Sequence, residues 1–241
     1  MPSAATVALA LVGLVACTAP QDEADHLTVL GASSLRAVFE KAAGGFDGGV
    51  TFGFAASSRL VAQIQDGAAA DVVATADEAS MDALSRARLL AAPAVPFATN
   101  RLAIAVAPAN PEAVRSLADL ARPGLDVALA APAVPAGRLA GEALSRAGVG
   151  VRPVSLEDSA PAVAARVERG EADAGVTWVT EVRGRAGLDV VDIPDAHNVR
   201  AVYLIAVLRA SDRPAAARRF VELVRSGAGQ RVLAEAGFGP P

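Results

Sequence analysis

Short apolar runs alternate with amphipathic segments along most of the chain. Eight runs rich in β-branched and small apolar residues predict strands at Leu27–Gly31, Val50–Phe54, Asp71–Ala76, Leu102–Ala107, Asp126–Ala130, Ala174–Trp178, Asp189–Ile193 and Ala201–Leu208. Several of these runs are apolar at almost every position, which is typical of parallel strands buried on both faces. The segments between them repeat apolar residues every three or four positions, which predicts helices that pack against the strands.

Capping residues mark where the predicted helices begin and end. The candidate N-caps are Ser34, Ser57 or Ser58, Asp77, and Asp158 or Ser159. Gly67, Gly148 and Gly170 follow as helix stops. The β-α-β-α order predicts an α/β fold in which helices cover parallel sheets on both faces.

Prolines indicate a division of this fold into two lobes. Pro93, Pro96 and Pro108 bracket a predicted crossover from one lobe to the other. We assign residues 26–98 and about 209–241 to the first lobe, and residues 99–208 to the second.

The beginning of the chain has a different pattern. Ala4–Ala16 is an uncharged, largely apolar run, shorter than the ~20 residues that span a bilayer but suited to a signal peptide. It leads into Leu14-Val15-Ala16-Cys17, which resembles the bacterial lipobox. We therefore predict a lipoprotein signal peptide over residues 1–17, a lipid on Cys17 that anchors an extracytoplasmic protein to the membrane, and a tether over residues 18–25. An ordinary secretory signal with an incidental cysteine is the alternative.

The composition excludes several classes of function. The chain has 241 residues with 22 basic and 26 acidic side chains, and its net charge of −4 offers no broad basic surface to nucleic acid. A single cysteine excludes an internal disulfide, and two histidines, His26 and His197, leave little for a metal centre. The chain has neither a G-x-S-x-G elbow nor a P-loop lysine, so we expect no enzyme activity and no cofactor.

Small residues recur where three predicted strands meet a helix. The turns are Gly31–Leu35 (GASSL), Phe54–Leu60 (FAASSRL) and Ala131–Gly137 (APAVPAG). Such turns expose backbone N–H groups at the positive end of a helix, and these groups bind anions without a charged side chain. A helix cap explains each serine taken alone. Their recurrence at equivalent strand ends predicts an anion site there.

The same segments resemble a known family. The block FGFAASSRLVAQIQDGAAADVVATADEASMDAL is similar to the F-A-S-S-x-x-L-x-x-Q-I and S-A-D-x-x-x-M-D motifs of periplasmic molybdate-binding proteins of ABC importers. TVLGASSL, NRLAIAVAP, APAVPAGRLAGEAL, ERGEADAGVTWVTEV and RVLAEAGF resemble further segments of that family in the same order. The resemblance covers roughly residues 27–239 and implies two doubly wound α/β lobes with a hinge, as in type II periplasmic binding proteins.

Carried over position by position, the resemblance implies five ligand-binding residues. They are Ser34, Ser57, Ala136, Ser159 and Trp178. The serines at 34 and 57 resemble donors of hydroxyl and amide bonds, and Ala136 and Ser159 stand at backbone-donor positions. Trp178 stands where the family usually has a tyrosine that binds the anion. An indole N–H donates but cannot accept, so Trp178 either replaces that donor or only lines the pocket.

The expected cargo is molybdate or tungstate, held without direct metal-ion ligands. Both are fully deprotonated near neutral pH, so their site needs hydrogen-bond donors, whereas a phosphate site would also need a carboxylate. The resemblance implies an ABC permease and its ATPase as partners, and we expect a monomer. A same-fold protein for sulfate, thiosulfate or phosphonate and a structural envelope lipoprotein are the alternatives. We expect Ser57→Ala to weaken anion binding and to leave stability nearly unchanged.

Overall fold

A computed structural model describes residues 26–241. The predicted signal peptide, the tether and the lipidated Cys17 lie outside the described residues. The strands are β1 Leu27–Ala32, β2 Val50–Ala55, β3 Val72–Thr75, β4 Val95–Val106, β5 Val127–Ala130, β6 Ser155–Glu157, β7 Ala174–Trp178, β8 Asp189–Asp192 and β9 Arg200–Val207. The helices are α1 Arg36–Ala43, α2 Ser57–Gln65, α3 Glu78–Arg86, α4 Pro135–Arg146, α5 Ala160–Glu168, α6 Val179–Val182, α7 Pro214–Arg225 and α8 Gly227–Glu235, with 3₁₀ turns at Ser33–Leu35 and Leu117–Ala121.

Strands form at all eight predicted runs, with two differences. β4 begins at Val95 rather than at Leu102. Pro96 lies inside it, where a shift in the pairing register with β9 accommodates a residue that has no N–H to donate. β6 is additional, since three residues are too few to show a periodic pattern. In the part of the chain described by the structure, no helix is long and apolar enough to cross a membrane.

The predicted helix ends are largely confirmed. The Asp77 side chain accepts a hydrogen bond from the Ser80 amide at 3.1 Å and caps α3, and Ser159 is the N-cap of α5. The predicted glycine stops adopt positive φ angles of 90° at Gly67, 66° at Gly148 and 71° at Gly170. Ser57 is the first residue of α2 rather than its cap.

Two sheets share strand β4. The first sheet has the order β2-β1-β3-β9 and ends on the first half of β4. The second sheet contains β8, the second half of β4, β7, β5 and β6. Helices α1, α2, α3, α7 and α8 pack on the first sheet to form the first lobe, and α4, α5 and α6 pack on the second to form the second lobe.

Antiparallel pairing of β9 differs from the parallel sheets that the sequence pattern predicts. β9 pairs antiparallel with β3 and with the first half of β4. The reason is that the chain enters the second lobe through β4 and returns through β9 in the opposite direction. Parallel pairing is retained by β1 with β2 and β3, and by β5 with β6 and β7.

Asn198 joins the two segments that connect the lobes. Its side chain accepts a hydrogen bond from the Leu102 amide at 3.1 Å and donates to the Leu102 carbonyl at 2.9 Å. It also donates to the Ile193 carbonyl at 3.2 Å, next to the end of β8. The buried Asn198 amide therefore bonds the middle of β4 to residues 193–199.

Candidate functional site

Five strand ends meet where the two lobes face each other. β1 leads into the Ser33–Leu35 turn, and β2, β5, β6 and β7 lead into α2, α4, α5 and α6. One cavity is lined by all five residues predicted from the sequence, namely Ser34, Ser57, Ala136, Ser159 and Trp178. Every residue that lines this cavity is uncharged. The fold therefore brings the predicted residues together, although they come from distant parts of the chain.

The size of the cavity limits what it can hold. The space open to the centre of a water molecule is about 20 Å³. Adding back a water radius of about 1.4 Å gives a sphere of roughly 3 Å radius. One atom with a shell of four oxygens fits such a sphere.

Two wider openings flank the cavity. The first opening has a volume of about 440 Å³ and is lined by Ser34, Arg36, Glu181 and Arg185 among others. The second opening, of about 570 Å³, includes Arg59 and Asp158. Charged groups therefore surround the approaches to the cavity but do not line it.

Ser57 presents a hydroxyl whose oxygen is already bonded. The side chain is 1% exposed, and its Oγ accepts a hydrogen bond from the Ala76 amide at 2.9 Å. The hydroxyl proton therefore remains free to donate into the cavity. The first amides of α2, which begin at Ser57, have no acceptor within their own helix.

The Ser34 hydroxyl also has a hydrogen-bond partner. Its Oγ lies 3.0 Å from the Tyr203 hydroxyl oxygen, although the two residues are 169 positions apart in sequence. The sequence contains one tyrosine, and its position in β9 gave no signal that it would lie behind Ser34. Sequence reasoning therefore missed Tyr203.

Ala136 lies in the first turn of α4, which packs closely on the end of β5. Ala136 is 1% exposed, and the next residue is Gly137. A Cβ atom at Gly137 would collide with the carbonyl oxygens of Ala130 and Ala131. Glycine therefore allows the amide end of α4 to reach the cavity.

The second lobe completes the cavity with Ser159 and Trp178. Ser159 is the N-cap of α5, but its side chain makes no capping hydrogen bond. Thr177 Oγ1 donates to the Ala160 carbonyl at 2.9 Å and ties the start of α5 to β7. Trp178 is 1% exposed and packs edge-on against Tyr203, with ring centroids 6.3 Å apart.

The arginines near the site are held at its margin. Arg36, more than half exposed, lies over the Phe54 ring at 4.6 Å and pairs with Glu40 at 3.4 Å. Arg138 of α4 forms an ion pair with Asp77 across the lobe boundary at 2.8 Å. Within residues 26–241, no cluster of three or more His, Cys, Asp or Glu side chains could hold a metal ion. The available chemistry at the cavity is hydrogen-bond donation to an anion.

Comparisons with known proteins identify relatives of this chain. The curated proteins named Molybdate-binding protein ModA of Mycobacterium tuberculosis and of Mycobacterium bovis are each 40% identical to this chain over 249 residues. The alignments cover 97% of this chain and 95% of each relative. These relatives are binding proteins, so the expectation of a non-enzyme is confirmed.

Solved structures share the fold. The periplasmic molybdate-binding protein of Azotobacter vinelandii matches with a TM-score of 0.77 and 20% identity, over 89% of this chain and 99% of that one. The sulfate-binding protein SubI of M. tuberculosis matches with a TM-score of 0.74 and 20% identity, over 89% and 86%. These matches confirm the predicted two-lobed α/β fold of type II binding proteins. Residues 27–239 match the family described as bacterial extracellular solute-binding protein, and this chain belongs to that family.

Proposed function

We propose that the protein captures molybdate or tungstate outside the cytoplasm and delivers it to the permease of an ABC importer. The observation that carries this proposal is an uncharged cavity, sized for one tetrahedral anion, at the starts of α2, α4 and α5. Relatives at 40% identity that are named molybdate-binding proteins support the choice of anion.

The donor set suits an anion that carries no proton. Hydroxyls and helix-end amides donate to oxygen atoms and stabilise negative charge through the helix dipole. A protonated oxoanion would need an acceptor as well. The buried acid Glu181 lines the first opening rather than the cavity, which favours molybdate, tungstate or sulfate over phosphate.

Each predicted residue has a role in this proposal. Ser34 and Ser57 donate their hydroxyl protons to the anion, and Ala136 and Ser159 contribute the exposed amide ends of their helices. Trp178 lies on the remaining side, where its indole N–H is the only side-chain donor that it offers.

Capture requires movement of the lobes. The cavity lies between them, and we infer that they separate about a hinge at β4 and residues 193–199 to admit the anion. The ion pair between Asp77 and Arg138 joins the lobes when they are closed. Binding is thus coupled to hinge closure, as in other two-lobed binding proteins.

The anion can be tested with the only tryptophan of the chain. Purified protein is titrated with molybdate, tungstate, sulfate and phosphate while Trp178 fluorescence and the melting temperature are followed. We expect saturable shifts with molybdate and tungstate and none with phosphate. Shifts with sulfate alone would reject the proposal in favour of the sulfate alternative, and no shift with any anion would reject anion binding.

We also propose that residues 1–17 form a lipoprotein signal peptide. In this proposal Cys17 carries the lipid that anchors the protein to the membrane. The support is its position directly after Leu14-Val15-Ala16. Metabolic labelling with palmitate in a bacterial host should mark the wild type and not the Cys17→Ser variant. Equal labelling of both proteins would show that the cysteine is incidental.

A further inference from the structure

Tyr203 is the only tyrosine of the chain, and it is completely buried behind the cavity. Its ring packs edge-on against Phe97, Trp178 and Phe238, with centroid distances of 6.2, 6.3 and 5.3 Å. Three aromatic neighbours leave the ring little freedom to rotate. The direction of the phenol hydroxyl is therefore set by the fold.

Hydrogen bonds around Tyr203 determine which partner receives its proton. Asn100 Oδ1 accepts from the Arg101 amide at 2.9 Å, and this bond fixes the orientation of the Asn100 side chain. Asn100 Nδ2, which can only donate, then faces Thr180 Oγ1 at 2.9 Å and the Tyr203 oxygen at 3.4 Å.

A phenol has one proton. Among the hydrogen-bond partners of Tyr203, the Asn100 amide nitrogen only donates, so Ser34 Oγ at 3.0 Å is the acceptor that this buried proton can reach. Burial raises the pKa of Tyr203 far above its ordinary value, so the phenol stays protonated at every working pH. Ser34 Oγ is thereby an acceptor toward Tyr203, and its own proton is left for the cavity.

We propose that Tyr203 is a positioning residue for anion binding, which directs the Ser34 hydroxyl proton into the cavity without touching the anion itself. The arrangement parallels Ser57, whose oxygen accepts from the Ala76 amide. In this proposal each serine oxygen accepts a hydrogen bond from another group of the protein. The hydroxyl proton of each serine can then be donated to the anion.

The same hydrogen bonds connect the two lobes. Ser34 and Tyr203 belong to the first lobe, Asn100 lies in β4 beside the hinge, and Thr180 lies in α6 of the second lobe. The hydrogen bond from Asn100 to Thr180 therefore reaches from the middle of β4 into the second lobe.

The inference rests on the proposed function and is tested by a double-mutant cycle. Dissociation constants for molybdate are measured by Trp178 fluorescence for wild type, Tyr203→Phe, Ser34→Ala and the double variant. We expect Tyr203→Phe to weaken binding about tenfold when Ser34 is present and less than about twofold when it is absent. Equal weakening in both backgrounds, or no weakening in the first, would overturn the proposal.

Two controls separate this inference from other effects. Thr99→Val removes another hydroxyl near the hinge, one that donates to the Pro240 carbonyl, and should change binding less than twofold. If the wild type binds sulfate instead of molybdate, the proposed function fails and the cycle is run with sulfate.

A readout without any anion completes the test. Ultraviolet resonance Raman spectra of the single tyrosine should show a hydrogen-bond donor in wild type and a loss of that donor state in Ser34→Ala. Identical spectra in the two proteins would overturn the proposal, whichever anion binds.

Discussion

At the scale of single residues, the cavity depends on hydroxyl oxygens that are already occupied. Ser57 Oγ accepts from a buried backbone amide, and Ser34 Oγ lies 3.0 Å from a buried phenol that we propose donates to it. Each hydroxyl therefore contributes to the fold through its oxygen and to the proposed site through its proton. A substitution at either residue should affect both properties.

Ser57→Ala is the most direct test of this dual role. We expect molybdate affinity to fall at least tenfold and the free energy of unfolding to fall by about 1 kcal/mol, because the buried Ala76 amide loses its acceptor. The sequence alone predicted nearly unchanged stability, since it gave no sign of this bond. Titration and urea unfolding measure the two effects.

Ser58→Ala is the matched control for Ser57→Ala. Ser58 lies next in α2 but lines the second opening rather than the cavity. The Ser58→Ala variant should keep its molybdate affinity within twofold of wild type. Its free energy of unfolding should stay within about 0.5 kcal/mol of wild type. Equal effects of the two substitutions would indicate a general disturbance of α2.

Glu181 predicts how stability depends on pH. Burial raises the pKa of its carboxyl from 4.5 to about 7, and the charge of Arg185 opposes part of that shift. The folded protein favours the neutral acid, so the stability that Glu181 contributes is fully present below pH 4.5. This stability is lost as pH rises through 7. The loss amounts to about 3 kcal/mol above pH 7.

Glu181→Gln removes this titration while keeping the shape of the side chain. Urea unfolding at pH 5 and pH 8 should show that the variant gains stability relative to wild type between the two values, by up to about 3 kcal/mol. Other titrating groups cancel in this comparison. A difference that does not change with pH would mean that Glu181 has an ordinary pKa.

At the scale of elements, the starts of helices form the proposed site, and their placement depends on close packing. α4 reaches the cavity because its first turn rests directly on the carbonyls that end β5. α2 and α5 begin at the same edge, after β2 and β6. A small displacement of one helix start would move its amides away from the cavity.

Gly137→Ala tests this placement. The added methyl group would meet the carbonyl oxygens of Ala130 and Ala131, so α4 must shift. We expect molybdate affinity to fall more than tenfold and the melting temperature to drop. Gly141→Ala is the control, because it lies in the same helix with no atom near the added Cβ. The Gly141→Ala variant should keep its molybdate affinity and stabilise the helix by roughly 0.5–1 kcal/mol.

At the scale of the whole molecule, the ion pair between Asp77 and Arg138 links the lobes in the closed arrangement. Asp77 is almost buried and also caps α3, whereas the Arg138 side chain is 44% exposed. Arg138→Gln removes the link and leaves the cap intact. The open arrangement should then become more populated, with little change in the stability of either lobe.

Stopped-flow fluorescence measures the consequence of Arg138→Gln for binding. We expect molybdate to dissociate about two- to fivefold faster, with association nearly unchanged. Arg169→Gln is the control, because it removes a surface pair with Glu171 inside the second lobe. If both variants dissociate equally fast, the pair across the lobes has no special role in closure.

Most of the architecture follows from local sequence pattern. The structure differs from the prediction where distant segments of the chain meet. Strand runs, helix caps and glycine stops depend on neighbouring residues, so the sequence predicted them. The pairing of β9 with β3 and the bond between Tyr203 and Ser34 join distant parts of the chain, and local pattern carries no information about them. The five candidate site residues were predicted from a family resemblance, which adds what pattern alone lacks.

The helix starts at Ala136 and Ser159 also bear on how such a site persists through evolution. A main-chain amide is present whatever side chain the residue carries, except in proline. Substitutions at these two positions can therefore accumulate without removing the donor, provided that the new side chain fits. Genetic drift would erase the local sequence signature long before it erased the proposed anion site, and the close-packed glycine beside Ala136 would be the more durable marker.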